Sequence, residues 1–272
     1  MEILKDLRPA EAYFLMTWMT LDTKLLGYTL GSLVMEKCFE VRYVKKQVHP
    51  RVNKFSTYKM IRPSVNFDKM ELRSYEKPIL ELMGNDRKKE IQLRTFMKAV
   101  GSTYWKDKKS FRDDYLGRSP HLHGYYQDNF LLKWFDRRTA KGKALGQQLS
   151  RFFESKDREL KKHQEEKNDQ AILELLSGLG VHAILLKNLN DNIMKDLRER
   201  YKNSDYLDDA GFAFAGGGFS DFSDTYSSFG GFDGGDFGGG GAGGSWGDSG
   251  GGDSGCSSCS GCGGCGGCGG CS

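Results

Sequence analysis

The sequence predicts a mainly α-helical protein with a small β-hairpin, followed by a helical second subdomain and a disordered tail rich in glycine and cysteine. Apolar residues recur at helical spacing through much of the first 200 residues, whereas two short stretches alternate like strands. Of the 36 glycines, 26 follow Ala210, and such a segment cannot bury enough apolar area to offset its ordering entropy. We therefore predict subdomains at residues 1–70 and 71–202 and a disordered tail at residues 203–272.

Two helices are predicted at the start of the first subdomain. Proline is favoured at the first position of a helix, so Pro9 marks the start of one, with Asp6 as its cap. A second helix begins at Asp22, and its apolar residues recur at three- and four-residue spacings until near Cys38. This spacing gives the second helix one continuous apolar face.

Two strands with a polar loop between them complete this subdomain. Apolar residues alternate with charged residues at 39–43, and the same period returns at 58–60. The order helix, helix, strand, loop, strand is that of a winged helix, in which residues 47–56 would form the wing. The predicted fold of residues 1–70 is therefore winged-helix-like.

A winged helix suggests DNA binding, but the second helix has few side chains that could read bases. It contains no Arg, Asn or Gln of the kinds that contact base edges with two hydrogen bonds. Around the wing, Lys45, Lys46, Arg51 and Lys54 could still contact nucleic-acid phosphates or another anion, with salt-sensitive affinity and no choice of sequence. We therefore favour a protein-facing or structural winged helix over specific DNA recognition.

The second subdomain is predicted to be helical. Residues 75–83 and 91–100 form apolar helical patterns, with Gly84 ending the first and Gly101 lying beyond the second. From Thr139 the chain turns helical again, passes through a charged run at 156–167 and ends in a short helical hairpin at 171–189. Aromatic side chains lie between these helices, and core burial is commoner for them than a role as a binding platform. They are Tyr104, Trp105, Tyr115, Tyr125, Phe130, Trp134 and Phe135.

Two histidines, His121 and His123, lie two positions apart. A metal site would need further ligands, and the neighbouring sequence supplies only the carboxylates of Asp113, Asp114 and Asp128 and no cysteine. We interpret both histidines as loop residues. Neither stands at a spacing from a nucleophile that would define a hydrolase.

Charge divides the chain at the same boundary as glycine. All 40 Lys and Arg and 27 of the 36 acidic residues precede Asn203, which gives residues 1–202 a net charge of +13. Residues 203–272 contain nine Asp and no basic residue. This asymmetry indicates a nucleic acid, an anionic membrane face or the tail itself as a weak polyanionic partner of the basic part. The alternative is a solvated basic surface with a solubilising tail.

Five stretches of the sequence, taken together, resemble a known family. They are residues 7–13 (LRPAEAY), 39–41 (FEV), 75–80 (YEKPIL), 138–142 (RTAKG) and 175–181 (LLSGLGV). With them, most of residues 1–200 resembles the cytoplasmic region of the YciQ-like predicted membrane protein family. The resemblance implies a cytoplasmic module with a Gly-rich end, which in that family usually follows an extracellular domain and membrane helices. It implies no established activity.

No membrane-spanning segment or signal peptide is expected in this sequence. The most apolar early stretch, residues 10–35, is interrupted by Glu11, Asp22 and Lys24, and no apolar run reaches the ~18 residues of a membrane span. We expect a cytoplasmic protein with reduced thiols. The family resemblance adds that the protein could lie peripherally at the inner membrane face and associate with a membrane protein.

Six of the seven cysteines recur at every third position near the end of the sequence. They are Cys256, Cys259, Cys262, Cys265, Cys268 and Cys271, with only Ser and Gly between them. Each neighbouring pair has the CxxC spacing that binds zinc or iron–sulfur clusters and forms redox-active disulfides. No cofactor is certain, but reduced thiolates would favour Zn or Cu(I). Modification of the Gly-Cys run by a partner enzyme and an inert low-complexity end are the alternatives.

The sequence leaves three classes of function open. We favour a non-catalytic interaction or scaffold module with a flexible multivalent tail, because a basic body, an acidic linker and a terminal cysteine cluster are all present. Its expected partner is a protein that the sequence does not identify. A thiol- or metal-binding protein and a substrate of a tail-modifying enzyme are the alternatives. An enzyme is not expected, because no polar groups form a catalytic pattern.

Overall fold

The computed structural model describes residues 4–49, 52–84, 86–106, 109–127 and 136–189, with backbone alone at 48–49 and 52–54. This part of the chain is mainly helical and contains a small three-stranded antiparallel sheet, which confirms the predicted class at that level. The predicted tail at 203–272 lies outside the described residues.

The helices and strands follow one another in an irregular order. In chain order they are α1 (Pro9–Met16), α2 (Asp22–Met35), β1 (Phe39–His49), β2 (Val52–Pro63), α3 (Lys77–Glu81), β3 (Ile91–Gln92), α4 (Leu93–Tyr104), α5 (Ala140–Glu165) and α6 (Asp169–Leu179). Within the described residues, shorter helical segments also occur as a π-helix at Phe111–Leu116 and as 3-10 helices at Pro120–Leu122 and Gly180–Leu185.

Helix α1 begins at Pro9, as predicted, but its cap differs from the prediction. The capping position is Arg8, so the assignment of Asp6 as the cap is wrong. The carboxylate of Glu11, three positions later, accepts a hydrogen bond from the Arg8 N–H at 2.9 Å. This bond satisfies one of the donors that a helix start leaves without a partner in the helix.

Helix α2 lies at the centre of the core. Leu30 and Leu33 are completely buried, and Gly31 and Ser32, on another side of the helix, are buried as well. A Cβ atom at Gly31 would lie 2.3 Å from Cδ1 of Ile184, because the Gly180–Leu185 segment packs against this side. With α1, β1 and the π-helix also in contact, α2 has no broad free side that could enter a DNA groove.

The sheet has the order β1-β2-β3. Strands β1 and β2 pair antiparallel from Phe39 opposite Pro63 out to His49 opposite Val52, with one irregularity between Gln47 and His49. Strand β3 adds two residues beside the inner part of β2. Two strands were predicted, whereas β3 is too short to produce an alternating pattern.

The predicted wing loop at 47–56 is wrong, because both strands continue through most of it. At ~3.3 Å per residue, the strands of 11 and 12 residues each span about 35 Å. The inner residues Val41 and Ile61 are buried in the core, whereas the outer residues are largely exposed. Because polar residues occupy both faces of the outer strands, the sequence there does not alternate between apolar and polar residues, and it therefore resembled a loop.

The core joins residues from both sides of the predicted subdomain boundary at residue 70. Its buried apolar side chains form one cluster that extends from Leu4 to Leu189. Tyr104 packs edge-on against Phe111, with ring centroids 4.8 Å apart, and the predicted core aromatics at 130–135 lie outside the described residues. Whether residues 1–70 and 71–202 behave as separate subdomains stays a prediction.

Helix α5 packs closely against α1. A Cβ atom at Gly146 would lie 2.1 Å from the carbonyl oxygen of Leu15, so only glycine permits this approach. The second half of α5 carries most of the charged run at 156–167, of which six residues are exposed, whereas Asp157 and Leu160 are buried. None of the helices in the described ranges combines the length and the apolar character that a membrane span requires.

Candidate functional site

A short sequence repeat builds a connected polar cluster in the described structure. Residues 6–11 (DLRPAE) and 71–76 (ELRSYE) share the pattern acid, Leu, Arg, two variable residues and Glu. In both copies the Glu carboxylate accepts a hydrogen bond from the N–H of its own Arg. The distance is 2.9 Å for Glu11 and Arg8 and 2.8 Å for Glu76 and Arg73. This repeat was the signal for the site available in the sequence, and it was not among the predicted features.

The two arginines hold the two copies of the repeat together. Nη2 of Arg8 donates to the carbonyl oxygen of Glu71 at 3.0 Å, and Nη2 of Arg73 donates to the carbonyl oxygen of Asp6 at 2.9 Å. Each guanidinium thus contacts the carbonyl two residues before the other arginine. We call these two arginines and two carbonyls the arginine latch.

The remaining contacts of the latch differ between its two arginines. Nη1 of Arg8 forms an ion pair with Glu36, whereas Nη1 of Arg73 contacts Nε2 of His121. Because a guanidinium can only donate hydrogen bonds, Nε2 of His121 is the acceptor in this contact. His121 lies in the 3-10 segment at Pro120–Leu122, so its interpretation as a plain loop residue missed its contact with Arg73.

Two buried glutamates lie behind the latch in different states of hydrogen bonding. Both carboxylate oxygens of Glu11 accept hydrogen bonds, one from the Arg8 N–H and the other from the Ser119 hydroxyl at 2.7 Å. Oε1 of Glu76 has no hydrogen-bond partner in the described structure and lies 3.6 Å from Nε of Arg8. Burial raises the pKa of Glu76 to about 7, although Arg8 opposes this shift. Glu76 is therefore partly protonated near neutral pH.

A cleft of about 460 Å³ lies beside the latch. Its polar lining includes Lys5, Arg8, Glu36, Arg73, His121 and His182. Nε2 of His182 lies 2.9 Å from the carbonyl oxygen of Leu7, which requires a proton on that nitrogen. Burial lowers the pKa of His182, so its ring is neutral at neutral pH.

Three of the four predicted anion-contact residues lie elsewhere, on the outer part of the hairpin. Lys45 and Lys46 are exposed on β1, the backbone of Lys54 lies in β2, and Arg51 lies outside the described residues. We call residues 43–59 the basic arm, because this stretch contains five Lys or Arg and no acidic residue.

Exposed aromatic rings accompany the charges of the basic arm. The strand register places Tyr43 opposite Lys59 and Gln47 opposite Phe55, on the same face of the hairpin. Tyr43 is 51% exposed and Phe55 is 60% exposed, and the Lys59 ammonium lies 5.9 Å from the centre of the Tyr43 ring. This face combines cations with aromatic surface.

The bases at the inner end of the hairpin are paired with carboxylates instead. Arg62 donates two hydrogen bonds to Glu40 across the strands, at 2.7 and 3.1 Å, and Arg42 pairs with Glu90 at 2.5 Å. The basic arm is therefore the part of the hairpin in which positive charge is least balanced by acidic residues.

Of the seven cysteines, Cys38 lies within the described residues. Cys256, Cys259, Cys262, Cys265, Cys268 and Cys271 all lie outside the described residues. Cys38 is completely buried, and burial raises the pKa of its thiol to about 12, which makes it a poor nucleophile. Within the described ranges, no group of three or more His, Cys, Asp or Glu side chains is placed to hold a metal ion.

Comparison with known proteins finds no matching family model, no matching curated protein and no matching solved structure.

Proposed function

We propose that this protein is a non-catalytic interaction module whose basic arm docks onto an acidic partner protein. The observation that carries the proposal is the basic arm itself. Its sequence contains five basic residues and no acidic residue, and its two exposed aromatic rings lie on the same face of the hairpin. Aromatic residues are enriched at protein interfaces, and complementary charge steers a partner to such a surface.

We further propose that residues 1–70 are winged-helix-like in function as well as in element order. The hairpin takes the place of the wing, and it is the wing that contacts the partner. Helix α2 is surrounded by α1, β1 and the Gly180–Leu185 segment, which supports contact through the hairpin and not through a recognition helix. Contact with nucleic-acid phosphates by Lys45, Lys46, Arg51 and Lys54 would then lack sequence choice.

The acidic tail, residues 203–272, is a competitor for the same arm. It carries nine Asp and no base, whereas residues 1–202 carry a net charge of +13. At ~0.15 M salt, screening limits attraction between exposed charges to about 8 Å, so this competition should weaken as salt rises. An external partner must therefore displace the tail or bind more tightly than it does.

The test compares removal of two positive charges from the arm with removal of two from a distant helix. Affinity for a labelled poly-aspartate peptide would be measured for the whole chain, for Lys45→Gln/Lys46→Gln and for Lys161→Gln/Lys162→Gln. Lys161 and Lys162 are 68% and 69% exposed on α5 and lie near Glu165 and Glu166, so they match the arm lysines in charge and accessibility. The proposal requires the arm substitutions to weaken binding several-fold more than the α5 substitutions.

Equal weakening by the two double substitutions would show that net charge, and not the arm, governs binding. Binding to duplex DNA that exceeds binding to poly-aspartate would replace the protein partner with a nucleic acid. Loss of affinity as salt rises is expected for either polyanion, so the two charge-matched variants are what decide the case.

The resemblance to the YciQ-like family supports a more specific partner, a membrane protein at the cytoplasmic face of the inner membrane. In that case the module would be peripheral to the membrane. Pull-down of solubilised membrane proteins with the whole chain and with Lys45→Gln/Lys46→Gln checks this point, since a partner that docks on the arm must be lost from the variant.

A thiol- or metal-binding tail is the second candidate function, and six cysteines at every third position support it. Four thiolates can surround one Zn ion, and Cu(I) also prefers thiolate ligands. Titration of a peptide of residues 251–272 with each ion, beside a version in which all six cysteines are Ser, decides it. Equal affinities of the two peptides would exclude metal binding by the tail. Enzymatic modification of the tail or an inert end would then remain as the alternatives.

A further inference from the structure

The cleft beside the arginine latch is a separate feature from the basic arm. Residues 4–8, 71–74, 120–121 and 181–182 converge on it from distant parts of the chain. Its volume of about 460 Å³ lies within the range of small-molecule sites, ~300–1,000 Å³. Tertiary contacts, and no single loop, therefore shape this cleft.

The lining of the cleft has an excess of positive charge. Lys5, Arg8 and Arg73 contribute three cations, against the two carboxylates of Glu36 and Glu71. Glu36 already pairs with Arg8, and the second glutamate is exposed. His182 is neutral, and within the described residues neither Lys5 nor Arg73 forms an ion pair. Nη1 of Arg73 contacts the imidazole of His121, and Glu36 lies near enough to attract Arg73 electrostatically.

The latch also fixes the directions of the guanidinium hydrogens. Each Nη nitrogen carries two hydrogens, and each of the four Nη nitrogens has one contact within the described structure: Glu36 and Glu71 for Arg8, His121 and Asp6 for Arg73. Each of these nitrogens therefore carries one hydrogen that the latch contacts do not use. Because the guanidinium groups are already held, a ligand need not pay the usual cost of ordering them.

We propose that this cleft binds a small organic molecule that carries a carboxylate or a phosphate group. The oxyanion contacts Arg8 and Arg73, with Lys5 at the open side, and the apolar part of the molecule lies against Leu72 and Val181. Oxyanions match the planar fork of a guanidinium, and charge-assisted hydrogen bonds of this kind are the strong ones. The buried Nε donors of Arg8 and Arg73 also have no hydrogen-bond partner in the described structure, so the polar network beside the cleft leaves donors unsatisfied.

Calorimetric titration of the whole chain tests the proposal with three probes: hexanoate, hexyl phosphate and inorganic phosphate. We expect saturable binding of one molecule per chain for hexanoate or hexyl phosphate, and the tighter of the two identifies the oxyanion. Inorganic phosphate lacks the apolar part and should bind at least several-fold more weakly than hexyl phosphate.

Three substitutions locate the binding. Arg73→Gln should raise the Kd about tenfold or more, and Lys5→Gln should raise it about threefold, as expected for loss of charge-assisted contacts. Arg87→Gln is the matched control, since Arg87 is exposed and pairs with Asp68 outside the cleft. Its Kd should stay unchanged. If Arg73→Gln does not fold, the Kd of Lys5→Gln decides the result, because Lys5 is exposed and its substitution should not disturb the fold.

The proposal is overturned if none of the three probes shows saturable binding up to about 10 mM, the weak limit of such affinities. It is equally overturned if Lys5→Gln leaves the Kd unchanged, as the control Arg87→Gln is expected to do. Equal affinity for inorganic phosphate and hexyl phosphate would contradict the apolar subsite at Leu72 and Val181.

Discussion

Arg8 and Arg73 each donate a hydrogen bond from Nη2 to the carbonyl oxygen two residues before the other, at 3.0 and 2.9 Å. This exchange joins the start of α1 to the segment before α3, which lies 65 positions away in the sequence. Both segments are also closed locally by Glu11 and Glu76. The latch therefore fixes the N-terminal residues against the centre of the chain.

The latch should contribute measurably to stability. Arg8→Gln removes the cation that faces Glu36 and Glu76 and leaves two largely buried carboxylates without it, so we expect a loss of about 2–4 kcal/mol in the free energy of unfolding. Urea denaturation measures this loss. Arg87→Gln, which removes an exposed arginine, should change stability by less than about 0.5 kcal/mol. Similar losses for both substitutions would mean that the latch is no stronger than a surface ion pair.

Stability should fall as pH rises from about 4.5 to about 7, because burial raises the pKa of Glu76 from 4.5 to about 7. Between these values the folded chain binds more protons at this group than the unfolded chain does. The stability that its neutral form provides is complete below the unfolded pKa and is lost as pH rises through the folded pKa, on the order of 3 kcal/mol.

Glu76→Gln keeps a neutral side chain of the same shape at every pH. Denaturation across this pH range should therefore show a flatter profile for the variant than for the unchanged chain. Identical profiles would assign the pH dependence to other groups.

Two glycine substitutions should have opposite signs. Gly146→Ala places a methyl group where the Leu15 carbonyl oxygen would lie 2.1 Å away, so α5 must shift, at a cost of about 1–3 kcal/mol. Gly178→Ala adds a methyl group within α6 where no atom lies within 4 Å, and alanine in a helix stabilises by roughly 0.5–1 kcal/mol. Thermal unfolding of the two variants measures the contrast. A stable Gly146→Ala would contradict the close packing of α1 and α5.

The parts of the fold that were predicted correctly are those with a local apolar pattern. Helix α2 and the inner strand pair have apolar residues at helical or alternating spacing because one face of each is buried. The outer hairpin was predicted as a loop because neither of its faces is buried deeply enough to require apolar residues. Strand β3, with two residues, is set by its pairing to Met60 and Ile61 and has no pattern of its own.

The candidate sites divide in the same way. The bases of the arm were visible in the sequence because charge composition is a local property, although their placement on strands was not. The latch depends on bringing residues 6–11 and 71–76 together, which only the folded core accomplishes. Their shared pattern was present in the sequence, but it does not indicate that each arginine reaches the backbone of the other copy.

Removal of the acidic tail should expose the basic arm to other anions. A chain that ends at Lys202 retains all 40 Lys and Arg and loses nine Asp, so it should bind poly-aspartate more tightly than the whole chain at low salt. The gain should shrink as salt approaches ~0.3 M, where screening shortens the range of these charges. An unchanged affinity after truncation would exclude competition by the tail.

The most direct test of the docking role combines the truncation with the arm substitutions. Affinity for poly-aspartate would be measured for the chain ending at Lys202, alone and with Lys45→Gln/Lys46→Gln or Lys161→Gln/Lys162→Gln. We predict that the arm substitutions abolish most of the affinity gained by truncation and that the α5 substitutions preserve it. A gain that survives the arm substitutions, or that both pairs reduce equally, would contradict docking through the basic arm.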